Sequence, residues 1–316
     1  MKTVLVTGAC GLIGQHICSG LLKKGNAVIA VDREECHYND NKENYTFFPA
    51  APDDSKAYED IFSQNKIDEV VHAACTVDND FGHIITSKEM SIAATCDKFI
   101  YNMAFNAGVN KFVLLSTYQV YDFPKTREPI REDDLLKPVT NYAVLKMNSE
   151  KAFAAEFSRH KEAIGCILRF APVYTLNFTD NLVSRISDSK GTCFVYGSGQ
   201  YGFQLCCVHN LVDFILCFVK NADDATYTGV YNVSDKLLIT ASDIIAFMRK
   251  NHRLGPVLQR NQSIDSVTSI FKKFGNKDEK TNYRHLDMSS IMNNNMLDNN
   301  KAAKLLSFRW DLNNTK

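Results

Sequence analysis

The sequence has no surplus of either charge. Lysine plus arginine and aspartate plus glutamate both number 36 among 316 residues, so the formal net charge is zero. Neither a basic excess nor a clustered basic stripe is present, which argues against a nucleic-acid partner. Long apolar runs are also missing. The longest, such as Phe214 to Val219, fall far short of the roughly 20 residues a membrane-spanning helix needs. The segment Met1 to Gly8 lacks the charged-then-apolar pattern of a signal peptide, so a cytoplasmic protein is the expectation. The ten cysteines follow no regular framework, and Cys166, Cys207 and Cys217 sit inside apolar runs. That usage suggests reduced, core-packed thiols. Cys193, Cys206, Cys207 and His209 come nearest to a ligand cluster, but their spacing matches no usual zinc pattern and no metal site is expected.

What the chain does have is the composition of a globular protein, with 45% hydrophobic and 23% charged residues. The first half alternates β-branched runs with helical stretches. Strands are expected at Thr3 to Thr7, Ala27 to Asp32, Glu69 to Ala73, Lys111 to Ser116 and Ile164 to Phe170. Helices are expected at Ile13 to Lys24, Tyr58 to Gln64, Met90 to Ala107 and Tyr142 to His160. This alternation implies right-handed βαβ units and an α/β fold with a doubly wound, Rossmann-type parallel sheet. Beyond about residue 171 the rhythm loosens. The division expected is a dinucleotide-binding domain over 1–170 and a smaller substrate-binding lobe over 171–316, partly interleaved with the first. Within that lobe Asn251 to Asn282 is polar and Asn293 to Asn300 is asparagine-rich, both suited to loops.

The strongest local signal is Thr7-Gly8-Ala9-Cys10-Gly11-Leu12-Ile13-Gly14, between the first strand and the first helix. Glycines in such a loop permit a tight turn and let the backbone approach a pyrophosphate, while the helix start offers free N–H groups and a positive dipole end. Asp32 follows Gly14 by 18 residues and closes the second strand. A carboxylate there accepts the hydroxyls of an adenosine ribose and repels a 2′-phosphate, which favours NAD; Arg33 beside it softens that preference.

Tyr142 and Lys146 stand one helical turn apart on one face. An ammonium near a phenol favours the phenolate, and a phenolate can take a proton from an alcohol while hydride leaves to a cofactor. Thr117 ends the strand Lys111 to Ser116, 25 residues before Tyr142. Its hydroxyl is placed to bond the reacting hydroxyl and the phenol.

The chain resembles the extended short-chain dehydrogenase/reductases, and among them the NAD-dependent epimerase/dehydratase family that includes UDP-galactose 4-epimerase. The resemblance rests on the glycine loop, Asp32, Val71-His72-Ala73-Ala74, Ser116-Thr117, Tyr142 with Lys146, and Leu168-Arg169. Gly229-Val230-Tyr231-Asn232-Val233 and Asn300 to Leu306 extend it into the second half. It implies Tyr142 as base, Lys146 as its tuner and holder of the nicotinamide ribose, and Thr117 as a substrate-positioning group. NAD would lie against Gly8, Cys10, Gly11, Leu12, Ile13, Gly14, Asp32, Arg33, Ala73 and Ala74 as well as Tyr142 and Lys146. A nucleotide-sugar substrate would meet Cys75, Tyr118, Gln119 and Arg284, and a homodimer is implied.

The pattern breaks in places. Ala50-Ala51-Pro52-Asp53-Asp54 replaces the family's Gly-Asp after the third strand, Ala171 stands for an Asn, and Phe203 stands where an Arg often grips the diphosphate. The 4,6-dehydratases carry Asp-Glu after the Thr, whereas Tyr118 and Gln119 stand here. The expectation is therefore a nucleotide-sugar 4-epimerase. An NAD(P)H-dependent sugar reductase is the alternative, and a non-catalytic NAD-binding regulatory protein is a third reading from another class.

Overall fold

A computed structural model describes residues 1–34, 42–75, 85–123, 128–188, 191–221, 223–260 and 296–316. The central element is a seven-stranded, wholly parallel sheet. Its strands are β1 (Thr3–Thr7), β2 (Ala27–Asp32), β3 (Tyr45–Pro49), β4 (Glu69–His72), β5 (Lys111–Leu115), β6 (Ile164–Phe170) and β11 (Gly229–Val233), in the order β11-β6-β5-β4-β1-β2-β3. The chain steps outward from β1 to β3 and then returns to place β4 on the other side of β1. Such a reversal leaves a crevice at the carboxyl ends of β1 and β4, where open α/β sheets bind ligands.

Helices cover both faces because the central strands bury both of their sides; β1 and β2 are almost continuous apolar runs, and β4 is buried throughout. One face carries α1 (Leu12–Lys23) and α6 (Val208–Asn221), the other α2 (Ser55–Gln64), α3 (Ser87–Asn106) and α4 (Asn141–Phe157). Helix α1 buries Gly14, Ile17, Cys18, Leu21 and Leu22, the i, i+3, i+4, i+7 stripe of an amphipathic helix. Its contact with α6 is close at Gly20, where a β-carbon would stand 2.9 Å from a Val212 methyl.

Several helices start earlier than apolar periodicity implies, because caps set their first turns. Asp54 accepts the Ala57 N–H at 3.1 Å and starts α2 at Ser55. Thr86 and Glu89 form a reciprocal capping box that starts α3 at Ser87. Two strands escape the apolar pattern. β3 is a half-exposed edge strand, and β11 comes from the second half of the chain to flank β6.

The rest of the second half comprises short strand pairs and helices. β7 (Val173–Tyr174) pairs with β10 (Cys206–Cys207), and β9 (Gly202–Phe203) with β12 (Ile239–Thr240). β8 (Phe194–Tyr196) pairs with β13 (Leu258–Arg260). α5 (Asp180–Val183) and α7 (Ala241–Lys250) lie among them, and α8 (Asn300–Ala303) begins at the last residue of the asparagine-rich stretch. Asp235 ties these pieces together. Its carboxylate accepts from the Tyr174 hydroxyl at 2.7 Å, the Cys207 N–H at 2.7 Å and the Asn210 amide at 2.8 Å. Asn210 in turn bonds the backbone of Arg309 and Trp310.

Candidate active site

The glycine loop crosses the carboxyl end of β1. Gly8 has φ +67°, and a β-carbon on it would lie 2.7 Å from the Ala74 nitrogen. Only glycine satisfies both demands. Gly14 is still more confined, since its β-carbon would meet the Gly8 carbonyl oxygen at 2.0 Å. The loop, the first turn of α1 and the end of β4 thus close on one another at backbone distance. Ala73 donates its N–H to the Thr7 carbonyl at 3.2 Å, and Ala74 donates to Thr7 Oγ1 at 3.2 Å.

Gly11 is the N-cap of α1 and brings no side-chain cap, so first-turn N–H groups remain for an anion. Asp32 stands at the tip of β2. It accepts the Cys10 N–H at 2.8 Å on Oδ2 and the Arg33 N–H at 2.7 Å on Oδ1. Each oxygen keeps a second lone pair for a ribose hydroxyl. A close backbone approach, an uncapped helix start and a fixed carboxylate fit the adenosine diphosphate half of NAD. Cys10 departs from the expectation of reduced thiols. It is disulfide-bonded, whereas Cys18, Cys75, Cys96, Cys166, Cys193, Cys206, Cys207 and Cys217 are free.

The catalytic candidates sit at the ends of β5 and α4. Thr117 is 4% exposed and caps a single 3₁₀ turn, Tyr118–Val120, through a 3.3 Å bond from the Gln119 N–H. Gln119 Oε1 accepts from the Thr140 hydroxyl at 3.3 Å, and Thr140 caps α4 through the Ala143 N–H. The strand end that carries Thr117 is therefore laced to the start of the helix that carries Tyr142. Tyr142 is half-buried against Cys75, Ile85, Met90 and Leu145. Tyr118 packs edge-on to Phe123 with ring centroids 5.5 Å apart.

The expected electrostatics need correction. Lys146 was expected to depress the Tyr142 phenol; instead burial pushes that phenol well above its ordinary value, and Cys75 adds to the rise. Lys146 is 5% exposed and donates to the Leu115 carbonyl at 3.1 Å. Spacing by one turn puts the two side chains on one face, but the lysine stem is long enough to reach the strand instead of the phenol. The expected bond from Thr117 to the phenol is likewise not among those formed by the described residues. Arg284 lies outside the described residues.

The profile of the NAD dependent epimerase/dehydratase family matches residues 4–234. The chain belongs to that family. Its NAD-dependent enzymes are of the extended short-chain dehydrogenase/reductase type. The chain is 23% identical over 265 residues to the dTDP-D-glucose 4,6-dehydratase of Mus musculus, covering 79% of this chain and 74% of that protein. It is 30% identical over 152 residues to the UDP-glucose 4-epimerase of Halalkalibacterium halodurans, spanning only 45% of that protein. In fold it is similar to a UDP-glucuronic acid 4-epimerase from Bacillus cereus solved with UDP-glucuronic acid and NAD. The TM-score is 0.71 at 17% identity, covering 98% of this chain and 95% of that one.

Departures from the family pattern have local explanations. In the stretch that replaces Gly-Asp, Asp54 is committed to capping α2. At the lost arginine position Phe203 is buried in β9, and the Arg185 guanidinium lies 6.0 Å from its ring centre.

Sequence reasoning passed over the polar side of α4. Lys146, Ser149, Glu150 and Glu156 are all buried along this helix. Arg169 makes three bonds to Glu150, at 3.0, 3.2 and 2.7 Å, and Ser116 Oγ donates to the same carboxylate. The available signal was a charged stripe at i, i+4 from Lys146, where an amphipathic helix should carry leucines.

Proposed function

We propose that this enzyme is a nucleotide-sugar 4-epimerase. The observation that carries the reading is the composition of the turn after β5. Thr117 is followed by Tyr118 and Gln119, so no carboxylic acid stands there to expel water, and Gln119 Oε1 accepts from the Thr140 hydroxyl. The chemistry left is reversible oxidation at a hydroxyl. NAD supplies a two-electron acceptor that is regenerated within each cycle. Tyr142 takes the proton of the sugar hydroxyl and returns it, Thr117 holds that hydroxyl, and Lys146 holds the cofactor ribose. Cys75, Tyr118 and Gln119 flank the place the sugar occupies. The phenol, high in the free protein, needs the added positive charge of the bound nicotinamide to act as base near neutrality.

The test begins by denaturing the purified protein and identifying any released nucleotide by mass spectrometry. UDP-glucose, UDP-N-acetylglucosamine and UDP-glucuronic acid are then followed by proton NMR. Appearance of the 4-epimer without net change in NADH absorbance is the expected result. Net consumption of NADH or NADPH replaces the reading with a reductase, and a 4-keto-6-deoxy product replaces it with a dehydratase. Cofactor binding without turnover of any nucleotide sugar overturns it in favour of a regulatory protein.

A further inference from the structure

At the switch point β1 and β4 end together, with Thr7 opposite His72. Beyond that register the ladder stops, and the chain leaving β4 needs other partners for its N–H groups. Thr7 supplies them. Its carbonyl accepts the Ala73 N–H and its Oγ1 accepts the Ala74 N–H, both at 3.2 Å. The place of Ala74 matters to the glycine loop, because a β-carbon on Gly8 would lie 2.7 Å from the Ala74 nitrogen and 2.8 Å from its Cα. The backbone of Ala74 is the wall against which the Gly8 turn closes.

The Thr7 hydroxyl is itself held. Its Oγ1 lies 2.7 Å from His72 Nδ1, and His72 Nε2 lies 2.9 Å from Asp97 Oδ1. An imidazole offers two ring nitrogens. With Nε2 fixed on Asp97 the rotation of the ring is set, and Nδ1 is aimed at Thr7 in either protonation state. Thr7, His72 and Asp97 are 0%, 2% and 6% exposed, so the line is shielded from solvent. Asp97 is also out of place for an amphipathic helix. It stands among Ala93, Cys96, Ile100, Tyr101 and Ala104 on the buried face of α3, where a carboxylate is costly to bury. A line with hydrogen-bond spacing at every step thus runs from α3 to the wall of the glycine loop.

We propose that Asp97 is a positioning residue for this loop, acting through His72 and Thr7. It aims the imidazole, and the imidazole holds the Thr7 hydroxyl in the rotamer that reaches Ala74. Ala74 then sets where the Gly8 turn offers its backbone to a pyrophosphate. The inference rests on reading the loop from Gly8 to Gly14 as the seat of the cofactor pyrophosphate.

A double-mutant cycle on the full chain tests it, with NAD affinity measured by calorimetry. Asp97→Ala should weaken NAD binding about tenfold, the scale of one lost hydrogen bond. On a Thr7→Val background, where the hydroxyl is already gone, the same change should cost less than about twofold. Asp97→Asn keeps an acceptor for the imidazole and should stay within about threefold of wild type. A merely structural role predicts equal losses on both backgrounds. That result, no loss on either, or an Asp97→Asn variant as weak as Asp97→Ala overturns the inference. Should Asp97→Ala fail to fold, His72→Asn takes its place in the cycle. It keeps a polar group toward Thr7 but gives up the reach to Asp97, and its loss should again vanish on the Thr7→Val background. Gly11→Ala reports on the loop by itself. If it leaves NAD affinity unchanged, the loop is not the pyrophosphate seat and the inference falls with that reading, a pattern distinct from equal losses in the cycle.

Discussion

The proposed cofactor cradle and the proposed catalytic floor lie side by side at the carboxyl edge of one sheet, yet they are built on opposite principles. The cradle is made of backbone. Gly8, Gly14, Ala73 and Ala74 approach so closely that a single added carbon collides. The floor is made of buried side-chain charge. Lys146, Glu150 and Arg169 are each about 5% exposed and hold position through ion pairs and hydrogen bonds. The same contrast separates the cradle from the second half of the chain, where the buried Asp235 carboxylate gathers Tyr174, Cys207 and Asn210. Steric fit tolerates changes of pH and salt but no change of volume. Buried charge behaves the other way round.

The comparison can be broken first at its most charged point. Arg169→Met nearly conserves volume but leaves Glu150 buried without its partner, and should cost about 3–5 kcal/mol. Urea unfolding measures it. A loss below about 1 kcal/mol would mean that the floor does not depend on this pair.

Gly14→Ala attacks the cradle instead. The new carbon would overlap the Gly8 oxygen at 2.0 Å, so a cost of about 3 kcal/mol is expected, at the upper end of overpacking. NAD affinity should fall along with the melting temperature. An unchanged melting temperature would show that the loop yields more readily than its packing implies.

The third test uses pH. Burial raises the Asp235 carboxyl from 3.8 to about 6, despite the three donors that oppose the rise. The folded state therefore binds this proton more tightly than the unfolded state does. Its contribution to stability is full below about pH 4, falls as pH rises through about 6, and amounts to about 3 kcal/mol at most. Asp235→Asn should flatten that part of the stability–pH curve. A curve of unchanged slope between pH 4 and 7 would place the titrating group elsewhere. Glu69, raised by burial to about 7, overlaps the upper part of the window, so the two variants are best compared.

The smallest effect sharpens the contrast within the cradle itself. Gly11→Ala meets nothing nearer than 3.5 Å, so stability should change by under about 1 kcal/mol. Gly11 is the N-cap of α1 in the proposed anion site, however, so NAD affinity should drop while the melting temperature holds. Equal falls in both would assign Gly11 a packing role like that of Gly14.

Much of this was legible in the chain. The strands β1 and β2 are legible as β-branched runs, because parallel strands buried on both faces are apolar for most of their length. The glycine loop and Asp32 were legible because a backbone-built site leaves its mark as residues that are small or fixed in spacing. β3 and β11 were not, since an edge strand needs no apolar run and a strand drawn from the second half announces no partner. The start of α3 was hidden in a capping box, not in periodicity.

The sequence by itself determined the fold class and the placing of Tyr142 and Lys146 one turn apart on a single helix, because spacing along one strand or one helix turn carries that information. Only the tertiary structure decided what surrounds the pair. It turned Lys146 toward Leu115, raised the Tyr142 phenol by burial and joined Asp97 of α3 to His72 of β4. Charges in a protein interior act over distances set by packing, and residues 25 to 74 positions apart in the chain become neighbours only when the sheet is assembled.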